Sequence, residues 1–305
     1  MNSNDLILHA YDASPFTQKT LRMLGLKGCN YYSVETPMIL PKPDLVCVTG
    51  GYRGTPVLQI GSNVYIDNQR IATELESRFP EPSLFARHNE GLYLSMVNWS
   101  DTFFRAGLHM VIALQSQQWP EEFLADRKAL FSKLDFEQIS ADVNYAKAQL
   151  RANAALINMQ LADGRMFIGG DAPSLADIHA FAIPWFTRAA MPEVNTLLAD
   201  LEHLPAWEQR VADIGEGTRK PIDAEQAHTV ARESVAVYEN RIDAIEPGNF
   251  QVGQQVTVRP DDAERGAVSG QLQILCSDEI VITHKNEKVG EVAVHFPRLG
   301  HRVFS

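Results

Sequence analysis

Ser14-Pro15-Phe16-Thr17-Gln18-Lys19 follows closely on a short apolar run, Leu6-Ile7-Leu8-His9-Ala10. A strand that ends in a turn with a small hydroxyl residue, and then opens a helix, leaves a side-chain oxygen at the helix N-terminus. The free backbone N–H groups and the helix dipole favour an anion there. A thiolate held at that point would be stabilised, so the turn is a candidate thiol-handling site. Taken alone it reads first as an N-cap serine with proline at the first helical position. The surrounding sequence has to decide between the two.

Working outward, residues 5–85 alternate strands and helices. Tyr31-Tyr32-Ser33-Val34-Glu35 is a short alternating strand, followed by a proline-rich loop from Pro37 to Pro43. Thr55–Ile60 and Asn63–Ile66 flank Gly61-Ser62 and read as a hairpin. Asp67-Asn68 then opens a helix with Ile71, Leu75 and Phe79 on one face, stopped by Pro80 and Pro82. The order βαβ then ββα is an α/β module over residues 1–85.

From residue 88 to about 240 strand-like alternation disappears. Leu92, Met96, Trp99, Phe103 and Phe104 share a helical face; Phe123, Leu130 and Leu134 indicate a second helix, and Val143, Ala146, Leu150 and Ile157 a third. Ser174-Leu175-Ala176-Asp177 has the form of a capping box, and Trp207 lies in a further helix. This part is expected to be an all-α bundle. Residues 213–247 read as a connection with one helix. Residues 248–305 hold short strands separated by turn residues, which predicts a small β-barrel-like domain.

Composition narrows the function. The chain has 305 residues, 45% hydrophobic and 21% charged, with a formal charge of −11. Its length suits two or three domains. The acidic balance argues against nucleic acid and against an anionic membrane surface, both of which need clustered Lys and Arg. No window approaches ~18 apolar residues, and the N-terminus has no basic leader. Cys29, Cys47 and Cys276 are odd in number and widely spaced. They suggest structural thiols in a reducing, cytoplasmic setting, with neither a disulfide framework nor a metal site.

The layout and motifs resemble the glutathione transferase superfamily. Ser14-Pro15-Phe16-Thr17-Gln18-Lys19 resembles the Cys-Pro-Phe-Ala-Gln-Arg start of omega-like members with Ser in place of Cys, and equally the serine-type turn of theta- and zeta-like members. Thr55-Pro56-Val57 resembles the cis-proline element, Asp67-Asn68-Gln69-Arg70-Ile71 the Glu/Asp-Ser-x-x-Ile element, and Ser174–Asp177 the capping box of the bundle's core helix. The resemblance covers residues 5–215 and says nothing about the last ninety or so. It implies a thioredoxin-like N-terminal domain, a helical domain, glutathione as co-substrate and a homodimer.

By that resemblance, Ser14 donates a hydrogen bond to the glutathione sulfur. Tyr11 stands close to where tyrosine-type members carry their phenol and is the second candidate, with Thr17 a third. Thr55, beside cis Pro56, pairs with the peptide as an added strand. Asp67 meets the α-amino group and Asn68 the α-carboxylate of the γ-glutamyl end. Arg53 or Lys42 meets the glycine carboxylate. Trp99 and Phe103, with Phe104 and His109, are the expected wall of a pocket for a small hydrophobic electrophile. Without a thiol at position 14, mixed-disulfide chemistry should be weak. The implied activity is a transferase; the alternative is a non-catalytic glutathione-binding or protein-interaction scaffold on the same fold.

Overall fold

The computed structural model describes residues 1–85 and 89–305. Residue 88, where the helical part is expected to begin, lies outside the described residues. The chain opens with β1 (Leu6–Ala10), α1 (Pro15–Leu26), β2 (Asn30–Glu35), α2 (Pro43–Thr49), β3 (Val57–Ile60), β4 (Asn63–Ile66) and α3 (Asn68–Arg78). β2 runs parallel to β1, while β3 and β4 form the expected antiparallel hairpin beside it. The helix α2 is an addition to the sequence reading. Pro43 occupies its first turn, where a missing N–H costs nothing, and Gly50 closes it in the left-handed region at φ 71°.

Helices follow: α4 (Glu90–Gln115), a 3-10 turn (Ser116–Gln118), α5 (Glu121–Leu130), α6 (Phe136–Ala141), α7 (Val143–Leu161), α8 (Leu175–Ala190), α9 (Glu193–Leu197) and α10 (Leu204–Ala212). α8 is the buried axis of the bundle. Its capping Asp177, fully buried, accepts from Ser174 N–H (3.0 Å), the Ser174 hydroxyl (2.7 Å), Ile168 N–H (2.7 Å) and Trp207 Nε1 (2.8 Å). A buried carboxylate is tolerable there because all these donors converge on it. Among the described residues, no helix is long and apolar enough to cross a membrane.

The rest of the chain returns to the sheet. It comprises β5 (Thr218–Pro221), α11 (Ala224–Arg232), β6 (Arg241–Ile242), β7 (Gln255–Pro260), β8 (Val268–Leu275), β9 (Glu279–Asn286), β10 (Gly290–Pro297) and β11 (His301–Phe304). The extra C-terminal β region is present, as the sequence indicates, but its form differs from a separate barrel. β10 pairs in parallel with β4, and β5 pairs in parallel with β2. One eleven-stranded sheet results, running β11-β7-β8-β9-β10-β4-β3-β1-β2-β5, with β6 beside β8.

Strand alternation explains why the two halves fuse. In the β3–β4 hairpin, Leu58, Ile60 and Tyr65 join the core shared with the helices, while Val57, Val64 and Ile66 face the other way. That second face is covered by Val258, Leu272, Val294 and Phe296 of the C-terminal strands together with Leu45 and Val48 of α2. Polar groups mark the seam. His295 bonds Glu279 at 2.8 Å and Asn63 at 2.9 Å, stacks on Tyr65, and Glu279 in turn accepts from Arg70 at 2.8 Å.

Candidate functional site

Ser14 caps α1 with φ −79° and ψ 125°, and its Oγ accepts from Thr17 N–H at 3.3 Å. The residue is 2% exposed, and what remains open borders a cavity of about 330 Å³. Tyr11, Arg53, Thr55 and Lys42 border the same cavity. The Thr55–Pro56 bond is cis, as the motif implies. No hydrogen bond among the described residues engages the Thr55 N–H or C=O, so both stand available to a peptide-like ligand. Tyr11 offers its ring to the Lys42 ammonium, 5.3 Å from the centroid. Thr17 is fully buried, its hydroxyl oxygen unpartnered, and it does not border the cavity.

The opposite wall is apolar. Phe104, Leu108 and Val111 of α4, Trp119, Phe123 and Leu130 around α5, and Phe186 of α8 build it. Phe104 packs edge-on against Phe16 at 4.7 Å and Trp119 edge-on against Phe123 at 5.2 Å. The expected wall residues Trp99 and Phe103 are elsewhere, and the sequence reading is corrected here. Phe103 is fully buried in the core, and Trp99 stacks on it at 5.9 Å while facing a separate groove with Leu92 and Met96. Each residue turns a helix by about 100°, so Phe103 and Phe104 cannot share a direction. The periodicity found the helix but picked the neighbouring face.

Charge gathers at the rim. Arg53 and Arg127 both bind Asp126, Arg127 Nη2 at 2.6 Å, and Leu40 N–H joins at 3.1 Å. Burial opposes ionisation of Asp126, but these donors outweigh it and hold the carboxyl below its ordinary value. One carboxylate, Asp126, therefore serves two guanidinium groups, Arg53 and Arg127. Lys42, 4% exposed, makes no ion pair among the described residues; burial first, then Arg53 and Arg127, lower its ammonium to about 8 against the attraction of Asp126.

Asp67 and Asn68 lie in a second, smaller cavity of about 250 Å³. Asp67 is the only non-glycine residue with positive φ among those described, at 74°, and its Oδ1 accepts from Gln69 N–H at 2.9 Å. Such a conformation for a non-glycine residue carries strain of order 1 kcal/mol or more. Asn68 Oδ1 accepts from Thr20 at 2.8 Å, leaving its amide N–H groups to donate. Phe16 and Arg265 border both cavities and stand between them.

Arg265 comes from the β7–β8 connection, residues 261–267, which crosses the cleft as a strap. Its carbonyl accepts from Arg53 N–H at 2.7 Å, Glu264 N–H donates to Leu130 O at 2.9 Å, and Lys133 reaches Asp261 O. Gly51 and Gly266 allow this crossing. Their φ values are 129° and 95°, and a Cβ on Gly266 would sit 2.2 Å from Gly51 O. Only two glycines back to back can pass so closely.

The sequence matches the family models for the glutathione S-transferase N-terminal domain over residues 8–83 and C-terminal domain over residues 117–210. A GST-like protein from Pseudomonas syringae is 31% identical, covering 98% of both chains with a TM-score of 0.81. The chain belongs to the glutathione S-transferase superfamily. Two smaller transferase structures share the fold: one from Ceriporiopsis subvermispora in complex with glutathione (20% identity, 69% of this chain and 96% of that one, TM-score 0.55), and a glutathione S-transferase domain-containing protein from Marinobacter aquaeolei (20%, 68% and 97%, 0.54). No curated protein matches the chain. The strap is thus an addition to the glutathione S-transferase framework, carried on strands that the Pseudomonas protein also spans.

Arg265 and Phe16 are the site residues that sequence reasoning missed. Phe16 lies inside the Ser14–Lys19 stretch that opens α1. For Arg265 the available signals were the charged tip Asp261-Asp262-Ala263-Glu264-Arg265 between two strands and the Gly50-Gly51 pair ahead of the cis-proline element. Among the described residues no thiol borders either cavity. Burial pushes the Cys29 thiol up to about 11.

Proposed function

We propose that the chain is a glutathione transferase of the serine type, acting on a small electrophile with an apolar body. The observation that carries this reading is the Ser14 hydroxyl. It accepts one backbone N–H, keeps its own proton uncommitted, and lies at a helix N-terminus on a cavity with an apolar far wall. Donating that proton as a hydrogen bond to the sulfur of glutathione favours the thiolate, and the helix dipole adds to it. The thiolate attacks the electrophilic carbon. A C–S bond forms, the leaving group departs with its electron pair, and the thiol proton goes to solvent.

Thr55 N–H and C=O pair with the cysteinyl residue, and the Asp67 carboxylate takes the α-ammonium group. Lys42, which makes no ion pair among the described residues, takes the glycine carboxylate in preference to Arg53, which is bonded to Asp126. Self-association would use a face other than the β4 edge, which β10 fills.

Turnover of an aryl halide with glutathione tests the assignment. Ser14→Ala should lower kcat/KM by roughly 100-fold, the scale of one lost transition-state donor, with glutathione affinity little changed. Tyr11→Phe should leave kcat within about threefold. The reverse pattern would transfer the role to Tyr11. A chain that binds glutathione without any turnover would be a scaffold.

A further inference from the structure

The smaller cavity contains charged groups whose hydrogen-bonding capacity the protein itself leaves unused. Lys19, 2% exposed, makes no hydrogen bond among the described residues. Its ammonium lies 4.0 Å from Asp101 Oδ1 and 5.1 Å from the centre of the Phe16 ring. A buried ammonium with so loose a partner is costly unless an anion joins it. The Arg265 guanidinium has five N–H donors, and among the described residues its one hydrogen bond goes to Asp262. The rings of His179 and His301, 1% and 8% exposed, border the same cavity, and the Nε2 atom of each is unpartnered.

Asp67, Asp101, Asp261 and Asp262 share the cavity with Lys19 and Arg265. Both signs of charge are therefore present in a space of about 250 Å³. That is the requirement for a zwitterion, an α-ammonium and an α-carboxylate on one carbon. A plain cation would leave Lys19 with only its loose partner Asp101, and a plain anion would face four carboxylates.

We propose that Lys19 and Arg265 together bind the α-carboxylate of the ligand's amino-acid end, so that the strap from the C-terminal strands is part of the binding site. The inference rests on the glutathione reading above and adds to it a residue from outside the thioredoxin-like and helical parts. Arg265 acts as a binding residue, fixed by the Arg53–Arg265 backbone bond and the Gly51–Gly266 contact. Both cations lie over the Phe16 ring, Lys19 Nζ 5.1 Å and Arg265 Cζ 5.8 Å from its centre.

Calorimetric titration of two ligands tests this: glutathione, and the analogue lacking the α-carboxylate, γ-aminobutyryl-cysteinyl-glycine. The wild-type chain should prefer glutathione by roughly 10- to 100-fold, the scale of hydrogen bonds to a charged group. Arg265→Gln should lose most of that preference while binding the analogue within about threefold of wild type. Arg265→Lys keeps charge and stem and should fall between, which preserves the test if the glutamine variant does not fold. An unchanged preference in both variants overturns the proposal. Tighter glutathione binding in either overturns it too, showing the strap to be a plug. A wild-type chain that binds neither ligand overturns the glutathione reading itself.

Discussion

The two cavities flanking Phe16 and Arg265 are built on opposite principles. The larger is walled by Phe104, Leu108, Val111, Trp119 and Phe186, with its charges confined to the rim. The smaller is lined by four aspartates, two of them (Asp101 and Asp262) more than half exposed, with two cations and two buried imidazoles. Apolar packing is tolerant, since one methylene more or less changes binding only modestly. Buried charge is demanding, since each unpaired group is expensive. The pairing of the two suits a protein that holds one polar ligand strictly and receives a second, apolar one loosely.

The contrast can be broken at its partition. Gly266→Val would drive a side chain into Gly51 O at a φ of 95°. The strap would lift, merging the cavities. Unfolding free energy should fall by about 2–3 kcal/mol in chemical denaturation, and glutathione affinity by more than about 10-fold. A variant with unchanged stability would show that the strap bears no load.

A subtler change sharpens it. Phe104→Ala enlarges only the apolar cavity. The KM for an aryl electrophile should rise about 10-fold, while glutathione affinity stays within about twofold. Parallel losses in both would mean the cavities are not independent.

The smallest effect concerns the rim. Lys42 is charged below about pH 8 and neutral above it. The affinity of S-methylglutathione, which has no thiol to titrate, should hold steady to pH 7. It should then weaken by about three- to fivefold towards pH 9. Lys42→Met should be weaker throughout and flat with pH. An equally steep profile in that variant would assign the titration to another group.

Most of the fold was legible because its signals are local. The Ser14 cap, the Gly61-Ser62 turn and the Ser174–Asp177 cap are each fixed by a few adjacent residues. The C-terminal strands were legible as strands, since Val268–Leu275 and Gly290–Pro297 bury alternate or continuous apolar residues. Their partner was not. Nothing in the residues of β4 shows that its open edge meets β10, because pairing depends on chain reversal over more than two hundred residues. β5 escaped notice altogether; Thr218-Arg219-Lys220-Pro221 has no apolar alternation and is a strand only because β2 offers it an edge. Of the candidate site, Ser14, Thr55 and Asp67 were readable from motifs, and they border the two cavities. Arg265 was not, for the same reason as the β4–β10 pairing. Trp99 and Phe103 failed on a finer scale, one residue around a helix.

The β4–β10 seam also bears on how the protein is made. His295 meets Asn63 across 232 residues of sequence. Until Val294 and Phe296 have left the ribosome, Val57, Val64 and Ile66 have only Leu45, Val48 and Tyr52 from the preceding segment as apolar cover on their outward face. The β3–β4 hairpin therefore waits for a strand synthesised more than two hundred residues later, with a partly covered apolar surface and an unpaired edge exposed in the meantime. Chaperone dependence during translation, measured as soluble yield with and without a holdase, should accordingly be greater for this chain than for relatives that end at the helical bundle.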